Sequence, residues 1–85
     1  MPEISRFYGI FILMNFSDHQ PPHFHAWYGN YKIIVNIKDG KIKGEMPSRG
    51  VKLILDWLEL HRDELLDNWE RSQSGRTLNK VEPLK

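Results

Sequence analysis

The 85-residue sequence contains no cysteine. A disulfide framework and a thiolate metal site are therefore excluded, which fits a reducing compartment. Long hydrophobic runs are also missing. The longest unbroken apolar stretch is Ile10–Met14, far short of the ~20 residues that a membrane-spanning helix needs. The opening residues, "MPEISRFYG", lack the basic segment and apolar stretch of a secretory signal. Nor is there an excess of charge. Twelve Lys and Arg stand against eleven Asp and Glu, a net charge of +1. Nucleic acid is thus a weakly supported partner, and any electrostatic role must rest on where the charges sit. These absences together lead to the expectation of a cytoplasmic protein with no membrane segment. A chain this short has room for one core, so residues 1–85 are expected to form a single domain.

What the sequence does have is a concentration of imidazole. The stretch "DHQPPHFH", Asp18 to His25, holds three of the four histidines. Pro21 and Pro22 cannot donate to a sheet ladder, so this stretch is expected to turn a corner outside or at the edge of a sheet. On either side lie segments of strand length: residues 3–7, "IFILMNF", "HFHAWY", "YKIIVNIK" and "KIKGEM". "GN" and "DG" separate the last three and read as two-residue hairpin loops. After Pro47 the period becomes helical. Val51, Ile54, Leu58, Leu65 and Trp69 recur at three, four and seven, and His61 falls on the same stripe between Leu58 and Leu65. Ser48 is the expected N-cap and Gly75 the stop signal. The expected fold is α+β: an antiparallel meander of four to five strands over about 3–46, one long C-terminal helix over about 49–72 packed on one face, and a tail over 73–85.

Hairpin register then assigns faces. Two-residue loops pair Tyr28 with Tyr31, Ala26 with Ile33, Phe24 with Val35, and Ile37 with Ile42. The apolar members of these pairs belong on the core side. By alternation, the other face holds His23, His25, Trp27, Lys32, Ile34, Asn36, Lys38, Lys41 and Lys43. It is expected to be basic and open to solvent or to a partner. The tail residues Leu78, Val81 and Leu84 could fold back and cover it. His61 falls mid-stripe on the helix. It is expected in the core, bonded to a backbone carbonyl or a Tyr hydroxyl, and away from the corner.

Three chemistries follow from these residue types. His23 and His25, two apart on a strand, leave the same face with Cα atoms ~7 Å apart, which suits two ligands of one divalent ion such as zinc. His19 or Asp18 would come over the corner as a third ligand. Alternatively His19, His23 and His25 could perform acid–base catalysis without a metal, with Lys32 or Lys43 binding a phosphate, as in RNA cleavage. The third is a binding surface of Trp27, Ile34, Lys32 and Lys43, with Phe11 or Leu13 beside them, facing a second protein or a second copy of the chain. Enzyme and non-enzyme readings both remain open on these residues.

Several segments together resemble a small bacterial family, domain-of-unknown-function family 4160, whose members carry a Pro-Pro-His-x-His core. They are "ISRFYGI", "DHQPPHFHAWYG", "GEMP" before the helix, "W…H…EL…NW" within it, and "VEPL" near the end. The resemblance implies that Asp18, His19, His23, His25 and His61 are the characteristic polar positions. It also implies a gene beside a second small gene, in an arrangement similar to toxin–antitoxin pairs. The expected function is accordingly a small interaction or regulatory module of such a pair, working through the His-rich corner and the open face. A His-based or divalent-metal-dependent hydrolase or ribonuclease is the alternative.

Overall fold

The computed structural model describes residues 2–85. Met1, the first residue of the expected 1–85 domain, lies outside the described residues. The chain forms β1 (Glu3–Phe7), β2 (Ile10–Leu13), β3 (His23–Tyr28), β4 (Tyr31–Asn36), β5 (Ile42–Gly44) and α1 (Ser48–Gln73). The strands lie in chain order in one sheet, and every neighbouring pair is antiparallel. The α+β meander with one long helix is thus present, and it has five strands.

The first hairpin has the expected register. Gly29-Asn30 connects β3 to β4, and Tyr28 pairs with Tyr31, Ala26 with Ile33, and Phe24 with Val35. The second differs. Val35 pairs with Ile42, and Ile34 with Lys43. Asp39 accepts the Lys41 N–H on its own side chain, and Gly40 donates to the Asn36 carbonyl. The loop is therefore longer than two residues, because the Asp39 side chain closes it locally. The register moves by two residues. An even shift preserves the faces, so Ile42 still looks toward the core side and Lys43 away from it.

Ile10, Ile12, Phe24, Ala26, Ile33 and Val35 are buried against Ile54, Trp57, Leu58, Leu65 and Trp69 of α1. Trp57 is the centre of this packing. Its ring lies 5.2 Å from Phe7 and meets Phe24 edge-on at 5.6 Å. Its Nε1–H donates to the Glu82 carbonyl of the tail at 2.8 Å. Buried Asn68 holds the tail too, with its amide donating to Asn79 O and its carbonyl accepting from Asn79 N–H. Val81 N–H adds to the edge of β1 at Ile4 O. The tail therefore docks between the helix and the β1 edge, and Val81, Leu78 and Leu84 pack on the core cluster. It does not cover the opposite face of the sheet.

Both helix ends have identifiable causes. Ser48 is the first helical residue rather than the cap. Pro47 holds that place, without a side-chain bond, and its carbonyl takes the N–H groups of Gly50 and Val51. At the far end Gly75 adopts φ +72°, and the Arg76 N–H returns to the Arg71 carbonyl. This left-handed cap is the expected glycine stop. Within the helix, His61 departs from helical geometry at φ −126°, ψ 19°.

Gly44 is where the edge strand needs glycine. Its φ is +103°, and a Cβ placed there would meet the Lys32 carbonyl oxygen at 2.7 Å. Gly44→Ala is expected to destabilise the fold by about 2 kcal/mol or more, since a left-handed backbone and a backbone clash add. Urea unfolding checks this, and a change below about 0.5 kcal/mol would mean that β5 re-registers freely.

Candidate functional site

Alternation along β3 sends His25 and Trp27 to the face away from the helix, as expected. His23 stands at the very start of the strand, where the sheet runs out. It is not open to solvent but buried. Its ring lies 5.1 Å from that of Trp69 on one side and 5.4 Å from that of His25 on the other. The physical reason is the β2–β3 connection. Ser17 N–H bonds the Ser72 carbonyl and Gln73 bonds the Asp18 carbonyl, so the connection folds over the end of α1 and roofs His23.

This wrapping brings Asp18 back onto the strand. Its Oδ2 lies 3.0 Å from His23 Nε2, 3.4 Å from His25 Nε2 and 3.4 Å from Asn15 Nδ2. Its other oxygen accepts the His19 N–H at 2.8 Å. The second nitrogen of His23, Nδ1, lies 2.8 Å from the Pro21 carbonyl oxygen. A carbonyl oxygen only accepts, so Nδ1 carries a hydrogen. Nε2 therefore needs either its own hydrogen or a cation in order to face a carboxylate oxygen.

Asp18 is the group whose acidity the site visibly changes. Partial burial would raise its carboxyl. The His19 N–H and the His25 and His23 rings overcome this and lower it from 3.8 to about 2. Asp18 is thus the organising anion of the corner. Its ligand atom and those of His23 and His25 all lie within 4.8 Å of one another, the one such group of three among the described residues.

The two remaining histidines stand apart. His19 is exposed, and what it gives the cluster is its backbone N–H. His61 does not reach the corner and lies at the margin of the core. Its side chain is only 15% exposed, its ring lies 5.7 Å from that of Trp57, and its Nδ1 bonds Glu64 Oε1 at 2.8 Å rather than a backbone carbonyl or a Tyr hydroxyl. The ring stays against the apolar stripe and turns its polar edge to an acidic neighbour one turn on. Trp69, which does reach the corner, follows eight residues later, ~12 Å along the helix axis.

Beside the corner runs a shallow groove of about 490 Å³, lined by His25, Trp27, Lys32, Ile34 and Lys43 among others. The depression at the corner shares His25, Ile34 and Lys43 with it, so the two are continuous. The Lys32 ammonium lies 4.7 Å from the Trp27 ring centre, and the Arg6 guanidinium 4.1 Å from that of Phe11. Cations thus roof both aromatic rings of the face. Leu13, the other neighbour expected in this patch, is buried. Asp18 and Asn15 were the least legible contributors. A lone Asp and a lone Asn in a corner carry no spacing signal that shows which way they turn.

The depressed Asp18 carboxyl has a consequence for stability. Its acidity is greater in the fold than in the unfolded chain, so its contribution is fully present above about pH 4 and disappears as pH falls through about 2. In chelator-treated protein, Asp18→Asn is expected to be less stable than the parent at pH 6, with the gap closing between about pH 4 and pH 2. Urea unfolding across that range measures it. A gap that persists at pH 2 would assign the loss to packing instead.

No curated protein and no solved structure matches the chain. A family model does, over residues 9–70, a span that includes the corner, the groove and most of the helix. The chain belongs to that family, described as "Domain of unknown function (DUF4160)".

Proposed function

We propose that this protein is a small interaction and regulatory module, one half of a toxin–antitoxin-like gene pair, and that the groove with its His-rich corner is the working surface. The carrying observation is the uncovered sheet face. The C-terminal tail, which follows the helix, is fastened elsewhere through Asn79, Val81 and Glu82 and leaves this face open. The face left open presents Arg6, Lys32, Lys43 and His25 around Trp27, Phe11 and Ile34. Such a surface suits an acidic patch on a second small protein, and a second copy of the chain would meet it less well because like charges would oppose. The two-gene arrangement is what the family resemblance suggests.

A hydrolase reading, with RNA as substrate, is favoured by one specific feature. The Asp18–His23 pair and His25 lie at the end of a groove that carries Lys43, so an ammonium for a phosphate stands beside groups able to move a proton.

Co-expression with the product of the neighbouring gene tests the first reading. The pair is expected to co-purify, and Lys32→Glu with Lys43→Glu is expected to weaken the complex at least about 10-fold. Lys52→Glu, on the helix, should leave it unchanged. Equal binding by all three proteins would remove the groove as the interface. Incubation of the purified chain with a mixed RNA pool tests the second. Cleavage lost in His25→Ala supports it, and no cleavage at micromolar protein refutes it.

A further inference from the structure

We infer that Asp18, His23 and His25 are the three protein ligands of a divalent transition-metal site, with zinc as the best-fitting ion, and that His19 and His61 take no part. The inference deepens the reading of the corner as a working site but is tested apart from it. The donor set is two imidazole nitrogens and one carboxylate oxygen, the arrangement that zinc sites with an open position use. Ligands ~2.0–2.1 Å from a tetrahedral ion stand ~3.3 Å apart. The two separations from Asp18 Oδ2, 3.0 Å to His23 and 3.4 Å to His25, bracket that value.

Two of the three ligands, His23 and Asp18, are also aimed. The Pro21 carbonyl holds His23 Nδ1–H and turns Nε2 inward, which is how outer-sphere carbonyls orient metal-bound imidazoles. The His19 N–H occupies Asp18 Oδ1 and leaves Oδ2 facing the two rings. Trp69 backs His23, so the ring cannot swing away. The convergence itself asks for positive charge at Nε2, supplied by a proton or by a metal ion. With Nδ1 hydrogen committed to Pro21, a neutral His23 points a lone pair at a carboxylate oxygen 3.0 Å away. A metal ion between them converts this repulsion into two bonds. Magnesium and calcium prefer all-oxygen sets, so the imidazoles select against them. The open side looks into the depression lined by Asn36, Ile34 and Lys43, where a water or an anionic group would take the fourth position.

The test is calorimetric titration of tag-free, chelator-stripped full-length protein with Zn²⁺, together with NMR of the four imidazoles. One equivalent is expected to bind, shifting His23 and His25 together while His19 and His61 stay still. Asp18→Asn, which keeps the side-chain size, and His25→Ala should each weaken Zn²⁺ binding at least about 100-fold. His19→Ala and His61→Ala should bind as the parent does. Circular dichroism establishes that each variant is folded. If His25→Ala unfolds, Asp18→Asn carries the test. Undiminished binding by folded Asp18→Asn overturns the inference, as does loss of binding in His19→Ala or failure of the folded parent to bind micromolar Zn²⁺. A partner that still binds the chelator-stripped chain while the Zn²⁺ titration fails would remove the metal site and leave the interaction reading standing.

Discussion

The two-residue period of β3 is the constraint on which the rest of the molecule depends. One six-residue strand sends Phe24 and Ala26 into the core and His25 and Trp27 to the other face. The Gly29-Asn30 turn pins that choice by pairing β3 with β4 residue for residue. A slip of one position would bury His25 and Trp27 under the helix and expose Phe24 to water. The cost of desolvating an unpaired imidazole and exposing an aromatic ring closes off that alternative. Core and site are thus two readings of a single register.

The ends of the chain then decide which surfaces stay free. Trp57 and Asn68 draw the tail to the helix and the β1 edge, so that edge is sealed while the outer face is not. The β2–β3 connection is drawn the other way, onto the C-terminal end of α1, and this places Asp18 over His23. Charge follows the same division. The helix carries six acids, Asp56, Glu59, Asp63, Glu64, Asp67 and Glu70, against four cations, whereas residues 2–47 carry five Lys and Arg against four Asp and Glu. A net charge of +1 conceals an acidic helix and a nearly balanced sheet side whose lysines Lys32 and Lys43 gather at the groove.

The elements legible in the sequence were those governed by local period and turn chemistry. The first hairpin was legible because "GN" leaves one economical loop. "DG" misled by two residues because the Asp39 side chain closes a longer loop, yet the faces survived because the error was even. For His61 the stripe was legible and the partner of its polar edge, Glu64, was not, since periodicity does not show which neighbour that edge turns to. At the corner, spacing could pair His23 with His25 but could not choose between His19 and Asp18 as the third group. That choice depends on how the connection packs against Ser72 and Gln73, some fifty residues later. Tertiary contact, with no local signature, turned the Asp18 carboxylate inward and left the His19 ring outside.

The corner and the groove are linked through the sign of one charge. Arg6 is paired with Glu3 at 2.7 Å, so beside Lys32 and Lys43 Asp18 is the negative centre at the corner end of the groove, and its carboxyl is held ionised well below neutral pH. As long as it stands alone, it opposes an anionic partner or phosphate entering the groove at His25 and Lys43. A divalent ion on Asp18, His23 and His25 would change that end of the groove from one negative charge to one positive charge. The whole face would then attract anions. Binding of the ion and binding of an acidic ligand would favour each other by the same factor, as linkage requires. The interaction reading and the hydrolase reading therefore do not compete for different residues. They ask different things of one surface, and a divalent ion at the Asp18 corner would raise how strongly that surface draws an anion.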